Sequence, residues 1–306
     1  MIIKMFNFWY FLWLILWVEL TIVLYYALRN KSEKTQKIVL WSFLAFGLLL
    51  HFLKRFIPPY SVDYDRHLRD SWFVNICGAN IGLFPFLFFS KNKHVKDYMF
   101  YIGMISCLIA LLYPQEPLAK SNQAGEFLDI VRFYYHHWMV GGIPLLMVLL
   151  GHHKLSWKRV WVAPTGLMLL GLFIMLNQLF MSELGFIPLR DGNIIPNYKN
   201  SSYLWGPLNG DGSMDPIGGF LAIFTPEFMK TLPVAWTGSA YPAGSVKYWP
   251  WFWLIFPVYI LVTPMAFALS MIWDRKNFKS DMFLLKRKII VWYERRVDAY
   301  RKRKNK

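Results

Sequence analysis

The sequence predicts an all-α, polytopic membrane helix bundle with about seven transmembrane helices. Hydrophobic residues make up 56% of the chain and its mean hydropathy is +0.31, which is outside the balance of a water-soluble domain. Basic loops separate alternate apolar segments. Each segment is about long enough to cross a bilayer, which takes roughly 17 to 25 residues. The segments are 7–28, 38–56, 72–90, 98–114, 128–150, 160–181 and 249–273.

The first segment runs about twenty apolar residues without a small-residue cleavage site, so it is predicted to be a span rather than a signal peptide. The second, sixth and seventh segments are apolar along most of their length. The third carries Asn75, Asn80 and Pro85, and the fourth is short. Total counts of six or eight spans therefore stay open beside seven. The fifth contains ionisable residues.

Basic loops set the predicted orientation. Loops 29–37, 91–97 and 151–159 each contain three or four Lys or Arg. The tail contains thirteen Lys or Arg from Arg275 to Lys306, against three acids. Short loops rich in Lys and Arg remain cytoplasmic. The N-terminus is thus predicted outside and the C-terminus in the cytoplasm of a multi-pass cell-membrane protein, with 182–248 as a long external loop. Within the basic loops, His152 and His153 are predicted to be solvated.

The net charge of +16 has a simple explanation in this topology. It is concentrated in the predicted cytoplasmic loops and tail, where anionic inner-leaflet lipid is the expected partner. No nucleic-acid module is recognisable, so nucleic acid is not expected as a partner. No metal site is predicted either, because adjacent histidines on a helix point apart, and no cofactor is implied.

The fifth segment holds Asp129, Arg132, His136 and His137. Ionisable groups inside a bilayer are costly, so they usually mark a protein interior, a cavity or a reaction site. Steps of three and four place the first three on one helix face, whereas His137 points about 100° away. Two interpretations remain open: a functional polar strip, or an Asp129–Arg132 ion pair that fixes packing.

Other reactive residues fall in the same outer layer of the predicted bundle. At 1.5 Å per residue, Cys77 lies roughly 7 Å and His137 roughly 14 Å below the outer interface. His51, Asn75 and Asn80 belong to this layer. A thiol and an imidazole are the ingredients of a covalent catalyst. The alternative is that Cys77 is a small packed residue and the polar layer stabilises helix packing.

Four motifs in order resemble the YwaF-type integral membrane family. The segment Trp72-Phe-Val-Asn-Ile-Cys77 resembles that family's Leu-Pro-Leu-His-Leu-Cys segment, with Asn75 in place of the family's usual His. The helix 101–114 resembles the helix that follows it. Phe133-Tyr-Tyr-His-His137 is similar to the Phe-Tyr-x-x-His element, and Tyr248-Trp-Pro to the start of the last helix.

This resemblance implies an activity. A eukaryotic branch sharing the domain acts as an acyltransferase that makes polyunsaturated ether phospholipids, and its Cys and His correspond to Cys77 and His137. The implied function is a thiol-dependent phospholipid acyltransferase or transacylase, or an acyl hydrolase, with Cys77 as nucleophile, His137 as base and membrane phospholipids as substrates. The alternative is a non-enzymatic transporter or binding protein that uses the Arg132, Asp129 and histidine cluster.

Overall fold

The structure is a computed structural model that describes residues 2–58, 60–62, 72–118, 126–186, 189–190, 193–194, 202–207, 214–230 and 248–304. Helices account for most of these residues, which confirms the all-α prediction. In chain order they are α1 (Phe8–Leu28), α2 (Glu33–Leu53), α3 (Ile76–Leu87), α4 (Lys93–Leu112), α5 (Gln115–Leu118), α6 (Glu126–Leu149), α7 (Val162–Glu183), α8 (Pro216–Ile223) and α9 (Ile255–Lys304). Short 3-10 turns lie at Lys54–Phe56, Trp157–Arg159, Glu227–Met229 and Phe252–Leu254.

Two very short strands are the exception to the helical architecture. β1 (Leu189–Arg190) pairs antiparallel with β2 (Asn193–Ile194), with Leu189 opposite Ile194. They belong to the predicted external loop 182–248, which also contains α8. Much of that loop lies outside the described residues, so its predicted extent is not tested.

Five of the described helices begin at a residue suited to cap them. An Asn, Ser or Asp side chain accepts a hydrogen bond from the first turn of five helices, satisfying one of the amide groups that have no partner within the helix. The capping residues are Asn7 on α1, Ser32 on α2, Asn75 on α3, Asn92 on α4 and Asp215 on α8. Local polar chemistry thus defines where these apolar helices start.

Helices α4 and α6 form the central pair of the bundle. A Cβ atom on Gly103 would lie 2.2 Å from the Val140 carbonyl oxygen, and one on Gly141 would lie 2.6 Å from Cys107 Cβ. Only glycine fits at such distances, and small residues are what allow helices in membranes to pack closely. Cys107 is fully buried at this contact, so its thiol is part of the packing.

Five helical stretches among the described residues are long and apolar enough to cross a membrane. They are Phe8–Leu28, Glu33–Phe56, Lys93–Leu118, Trp157–Glu183 and Phe252–Val297, which correspond to the first, second, fourth, sixth and seventh predicted spans. The predicted third span contains α3, an apolar helix of only 12 residues. The predicted fifth span is α6, whose 24 residues include Asp129 and Arg132. Seven spans and the orientation of the termini stay predictions.

The five stretches differ in how they are packed. Only 11% of the most apolar part of α1 is buried, against 61% for Lys93–Leu118. Helix α1 is therefore a peripheral, lipid-facing element, whereas α4 is central. Helix α9 continues from the last span through the predicted basic tail as one helix of 50 residues, roughly 75 Å long at 1.5 Å per residue.

The basic loops gather at one end of the bundle, which we call the basic end: the starts of α2 and α4, the connection 150–161 and the part of α9 beside it. Asp97 is completely buried there. His153 Nε2 lies 2.8 Å from Asp97 Oδ1, and Arg159 Nε donates to Asp97 Oδ2. The prediction that His153 is solvated is wrong, because this carboxylate draws its ring into the bundle, where it is 6% exposed.

Candidate functional site

The opposite end of the bundle, which we call the thiol end, is built around the first turn of α3. The Asn75 side chain accepts a hydrogen bond from the Gly78 N–H at 2.6 Å, and Cys77 lies half-buried within the capped turn. Gln178 of α7 donates to the Val74 carbonyl at 3.1 Å, and the Trp72 indole donates to Asn177. Contacts from α7 therefore fix the backbone that leads into Cys77.

The Cys77 thiol lies against the His137 imidazole of α6. His137 Nε2 is 3.3 Å from Cys77 Sγ, and its Nδ1 is 2.8 Å from the Phe133 carbonyl oxygen. A carbonyl only accepts hydrogen bonds, so Nδ1 carries the proton in the neutral ring. The lone pair is then on Nε2, directed at the thiol. This is the arrangement in which an imidazole accepts a proton from S–H.

The neighbouring His136 is held in the opposite tautomer. Its Nε2 lies 3.0 Å from the Gly47 carbonyl oxygen of α2, so Nε2 carries the proton. Its Nδ1 accepts from Arg132 Nη1 at 3.2 Å. Both ring nitrogens are thus occupied by protein groups, and His136 bridges α6 to α2. Two consecutive histidines therefore have different chemical capacities.

Arg132 is the centre of a charged network beside this pair. Its Nε donates to Asp129 Oδ1 at 2.8 Å and its Nη2 to the same oxygen at 2.5 Å. Nη2 also donates to the Tyr60 hydroxyl at 3.2 Å and lies 3.5 Å from Glu116 Oε1. Asp129 is 4% exposed, so the pair is a buried one whose charges are compensated by several polar neighbours.

The remaining predicted site residues lie around this core. His51 is buried, its ring stacks on Phe73 at 5.9 Å between centroids, and it lies 6.2 Å from the ring of His136. Asn80, one turn after Cys77 on α3, is completely buried and accepts a 2.5 Å hydrogen bond from the Tyr98 hydroxyl. The structure therefore brings seven of the eight predicted side chains to one region: Cys77, His137, His136, Arg132, Asp129, Asn75 and His51. Asn80 lies one turn further along α3, where it bonds to Tyr98 beside Asp97.

Three residues of this region were missed by sequence reasoning. Tyr60 bonds to Arg132, Glu116 pairs with Arg132, and the Lys54 ammonium lies 5.1 Å from the Tyr60 ring centroid. Tyr60 and Glu116 fall in predicted inter-helix segments, where polar residues are ordinary, and Lys54 falls at the end of the predicted second span, 38–56. Lys54 is nevertheless 6% exposed. Nothing in the local pattern distinguishes a buried lysine at a helix end from a solvated one.

The fold and the site define a class: a polytopic helical membrane protein with a thiol and an imidazole paired near one end of its bundle. More particularly, the chain belongs to the TMEM164 family, whose model matches residues 4–205. The match spans every candidate site residue. It agrees with the predicted membrane family, while the YwaF-type assignment stays a prediction. No curated protein and no solved structure matches the chain.

Proposed function

We propose that this protein is a thiol-dependent phospholipid acyltransferase in which Cys77 is the nucleophile and His137 the base. The observation that carries the proposal is the 3.3 Å approach of His137 Nε2 to Cys77 Sγ, with Nδ1 bonded to the Phe133 carbonyl. The hydrogen bond from Nδ1 to the Phe133 carbonyl selects the tautomer in which the lone pair is on Nε2, the nitrogen that faces the thiol. A pair of this kind, with the base oriented by a third group, is the general arrangement of an activated nucleophile.

In the first half-reaction, His137 Nε2 takes the thiol proton and Cys77 Sγ attacks the ester carbonyl carbon of a donor phospholipid. The new S–C bond gives a tetrahedral intermediate. Its collapse breaks the C–O ester bond, and the alkoxide of the leaving lysophospholipid takes the proton back from His137 Nε2. The products are a Cys77 thioester and a lysophospholipid.

In the second half-reaction, His137 removes a proton from the hydroxyl of an acceptor lysophospholipid, whose oxygen attacks the thioester carbonyl. The S–C bond breaks, the acyl group passes to the acceptor, and the Cys77 thiolate recovers its proton from His137. Water in place of the acceptor would give hydrolysis. The use of one base in both directions follows from microscopic reversibility.

The position of Cys77 also suits this chemistry. It lies in the first turn of α3, where the partial positive charge of a helix N-terminus favours a thiolate and a developing oxyanion. The predicted depth of Cys77, roughly 7 Å below one interface, would place this half-buried thiol close to the level of the ester carbonyls of membrane lipids. A membrane lipid is therefore the substrate that the site favours.

The transporter or binding alternative has less support. An anion carried along this route would have to be bound by Arg132, the central cation of the cluster. Its nitrogens already donate to Asp129, Tyr60 and His136. A guanidinium has five N–H donors, and most of those of Arg132 are already used within the protein, which favours a structural role over the binding of a transported anion. This supports the interpretation of Asp129 and Arg132 as a pair that fixes packing next to the reactive thiol.

The test is capture of the acyl-enzyme. Purified full-length protein is incubated with mixed phospholipids and its intact mass is measured before and after hydroxylamine, which cleaves thioesters. We expect a mass increase of one acyl group that hydroxylamine removes and that Cys77→Ala abolishes.

Cys107→Ala is the matched control, since it removes the other cysteine, which is buried at the α4 contact with α6. This variant should keep the adduct in full. Two results would contradict the proposal: an adduct that Cys107→Ala abolishes, or folded wild-type protein that forms no adduct with any class of phospholipid.

A further inference from the structure

The basic end carries an open groove between α2 and the end of α3 that the proposed reaction does not use. It encloses about 560 Å³. Its lining residues are Glu33, Lys34, Lys37, Ile38, Trp41 and Phe89. Phe89 follows α3, whose first turn holds Cys77, so the twelve intervening steps place the groove roughly 18 Å from the thiol at 1.5 Å per residue. It is a separate site.

The mouth of the groove has a positive charge. Lys37 pairs with Glu33 at 2.5 Å, and Lys34 lies one turn earlier on the same wall. The half-buried Lys96 of α4 lies over the Phe88 ring at 5.8 Å and interacts electrostatically with Lys37. Three ammonium groups and one carboxylate leave a net charge of +2, which attracts an anion.

The imidazole of the nearby His152 is affected by the same positive charges. Burial, together with the charges of Lys37 and Lys96, lowers the pKa of the His152 imidazole, although the Glu33 carboxylate opposes this shift. His152 lies in the connection after α6. The local excess of positive charge thus extends across the ends of α2, α4 and α6.

The floor of the groove is apolar and aromatic. The Trp41 indole donates to the Pro85 carbonyl at 3.1 Å, which joins α2 to α3, and its ring lies 5.8 Å from that of Phe89. Trp41 is one helical turn beyond Lys37, or roughly 6 Å deeper along α2. Both rings remain exposed, at 38% and 61%. Tryptophan at this depth is typical of the membrane interface.

We propose that this groove binds one anionic phospholipid, with its phosphate on Lys34, Lys37 and Lys96 and an acyl chain against Ile38, Trp41 and Phe89. A cationic mouth one turn above an aromatic floor matches the two parts of a lipid. A soluble anion would leave the floor uncovered. The basic end is the predicted cytoplasmic end, where anionic lipid is abundant. The site is distinct from the basic tail.

The experiment is native mass spectrometry of the full-length protein released from detergent with added phosphatidylglycerol or phosphatidylcholine. We expect the wild type to retain one phosphatidylglycerol with the highest affinity. Lys34→Ala combined with Lys96→Ala should weaken that binding roughly thirtyfold, as two lysines near a lipid phosphate predict. Lys34→Ala alone, at an exposed position, should weaken it roughly fivefold.

The control is Lys276→Ala combined with Lys279→Ala, which removes the same charge from exposed positions of α9 and should leave the tight site unchanged. Equal loss in both double variants would overturn the proposal, since it would show diffuse attraction to the whole basic end. Equally tight phosphatidylcholine, or displacement of the lipid by inorganic phosphate, would also overturn it. The measurement does not involve Cys77, so its outcome is independent of the acyl-enzyme test.

Discussion

The two ends of the bundle both bury ionisable side chains, but they use them differently. At the basic end, Asp97 receives His153 on one oxygen and Arg159 on both, so the cluster is closed. At the thiol end, Arg132 is equally satisfied, yet His137 keeps a lone pair directed at Cys77. Buried polar groups are therefore not by themselves evidence of a site. The difference lies in which atom is left available for chemistry.

The largest expected effect comes from removing that available atom. His137→Asn keeps an N–H close to the position of Nδ1, which can still donate to the Phe133 carbonyl, and deletes Nε2. Loss of a general base typically costs 10²- to 10⁴-fold, so we expect formation of the Cys77 acyl adduct to slow by about that factor. The measurement is the time course of the adduct by intact mass.

Thermal unfolding in detergent separates this effect from misfolding. The His137→Asn protein should unfold at nearly the wild-type temperature. A variant that folds normally and still forms the adduct at the wild-type rate would show that His137 is not the base.

The next largest effect is expected at the basic end. Asp97→Asn removes the charge that pairs with His153 and Arg159 in a fully buried position. Breaking a buried ion pair from one side costs about 3 to 5 kcal/mol. We therefore expect a large drop in the unfolding temperature, measured in detergent, with the acyl adduct at Cys77 retained below that temperature.

Asp281→Asn is the matched control for this change. Asp281 Oδ2 pairs with Lys158 at 2.8 Å, but its side chain is 27% exposed and its partner 60% exposed. Partly solvated pairs contribute about 0 to 1 kcal/mol, so the unfolding temperature should change little. Equal losses in the two variants would mean that the Asp97 cluster is not the closed, buried structure described above.

Much of this fold could be predicted from the sequence, because the length and the apolarity of a segment directly indicate whether it can form a membrane-spanning helix. The steps from Asp129 to Arg132 to His136 also place these side chains on one face, and the structure shows them bonded to one another. His137 was predicted to point about 100° away from that face, and this is the direction in which its ring reaches Cys77 of α3. These inferences depend on helical periodicity alone, which a sequence contains.

Contacts between distant segments could not be predicted in this way. Tyr60 and Glu116 meet Arg132 across 72 and 16 positions of sequence, and His153 meets Asp97 across 56. Such contacts depend on which loops fold back onto which helix ends. A single sequence contains no periodic signal for them, so His153 was predicted to be solvated. The 12-residue length of α3 was missed for a different, local reason: the Asn75 cap starts the helix at Ile76, inside the predicted segment 72–90.

A third prediction concerns the close packing contact between α4 and α6, the two central helices that connect the thiol end with the basic end. Gly103→Ala would place a Cβ atom 2.2 Å from the Val140 carbonyl oxygen of α6, so α4 and α6 must separate. Overpacking of this kind typically costs about 1 to 3 kcal/mol. We expect a lower unfolding temperature and, because α6 carries His137, a slower rate of adduct formation.

Gly171→Ala provides the comparison. Its Cβ would lie 3.3 Å both from the end of the Leu204 side chain and from the Trp251 ring, so these side chains need to shift by only a few tenths of an ångström. Its unfolding temperature and adduct rate should stay close to wild type. Two variants that behave alike would show that the α4–α6 distance does not control the geometry of the thiol and imidazole.

The smallest expected effect on chemistry is at His136, next to the proposed base. Both of its ring nitrogens are occupied, by Arg132 and by the Gly47 carbonyl, so it has no lone pair to offer Cys77. His136→Gln keeps a donor for the Gly47 carbonyl and an amide oxygen able to accept from Arg132, at a cost of about 1 kcal/mol if one hydrogen bond weakens. We expect the adduct rate to stay within about threefold of wild type, a change of less than 1 kcal/mol in the barrier.

This variant tests whether hydrogen bonding decides which buried histidine is reactive. His136 and His137 have the same side chain, adjacent positions and similar burial, at 2% and 7% exposed. They differ in which ring nitrogen a backbone carbonyl occupies. If His136→Gln were as damaging to adduct formation as His137→Asn, tautomer selection by the Phe133 carbonyl would not be what makes one histidine reactive. If adduct formation were at least tenfold slower in His137→Asn than in His136→Gln, His137 would be the base, and its hydrogen bonding rather than its depth in the bundle would be the reason.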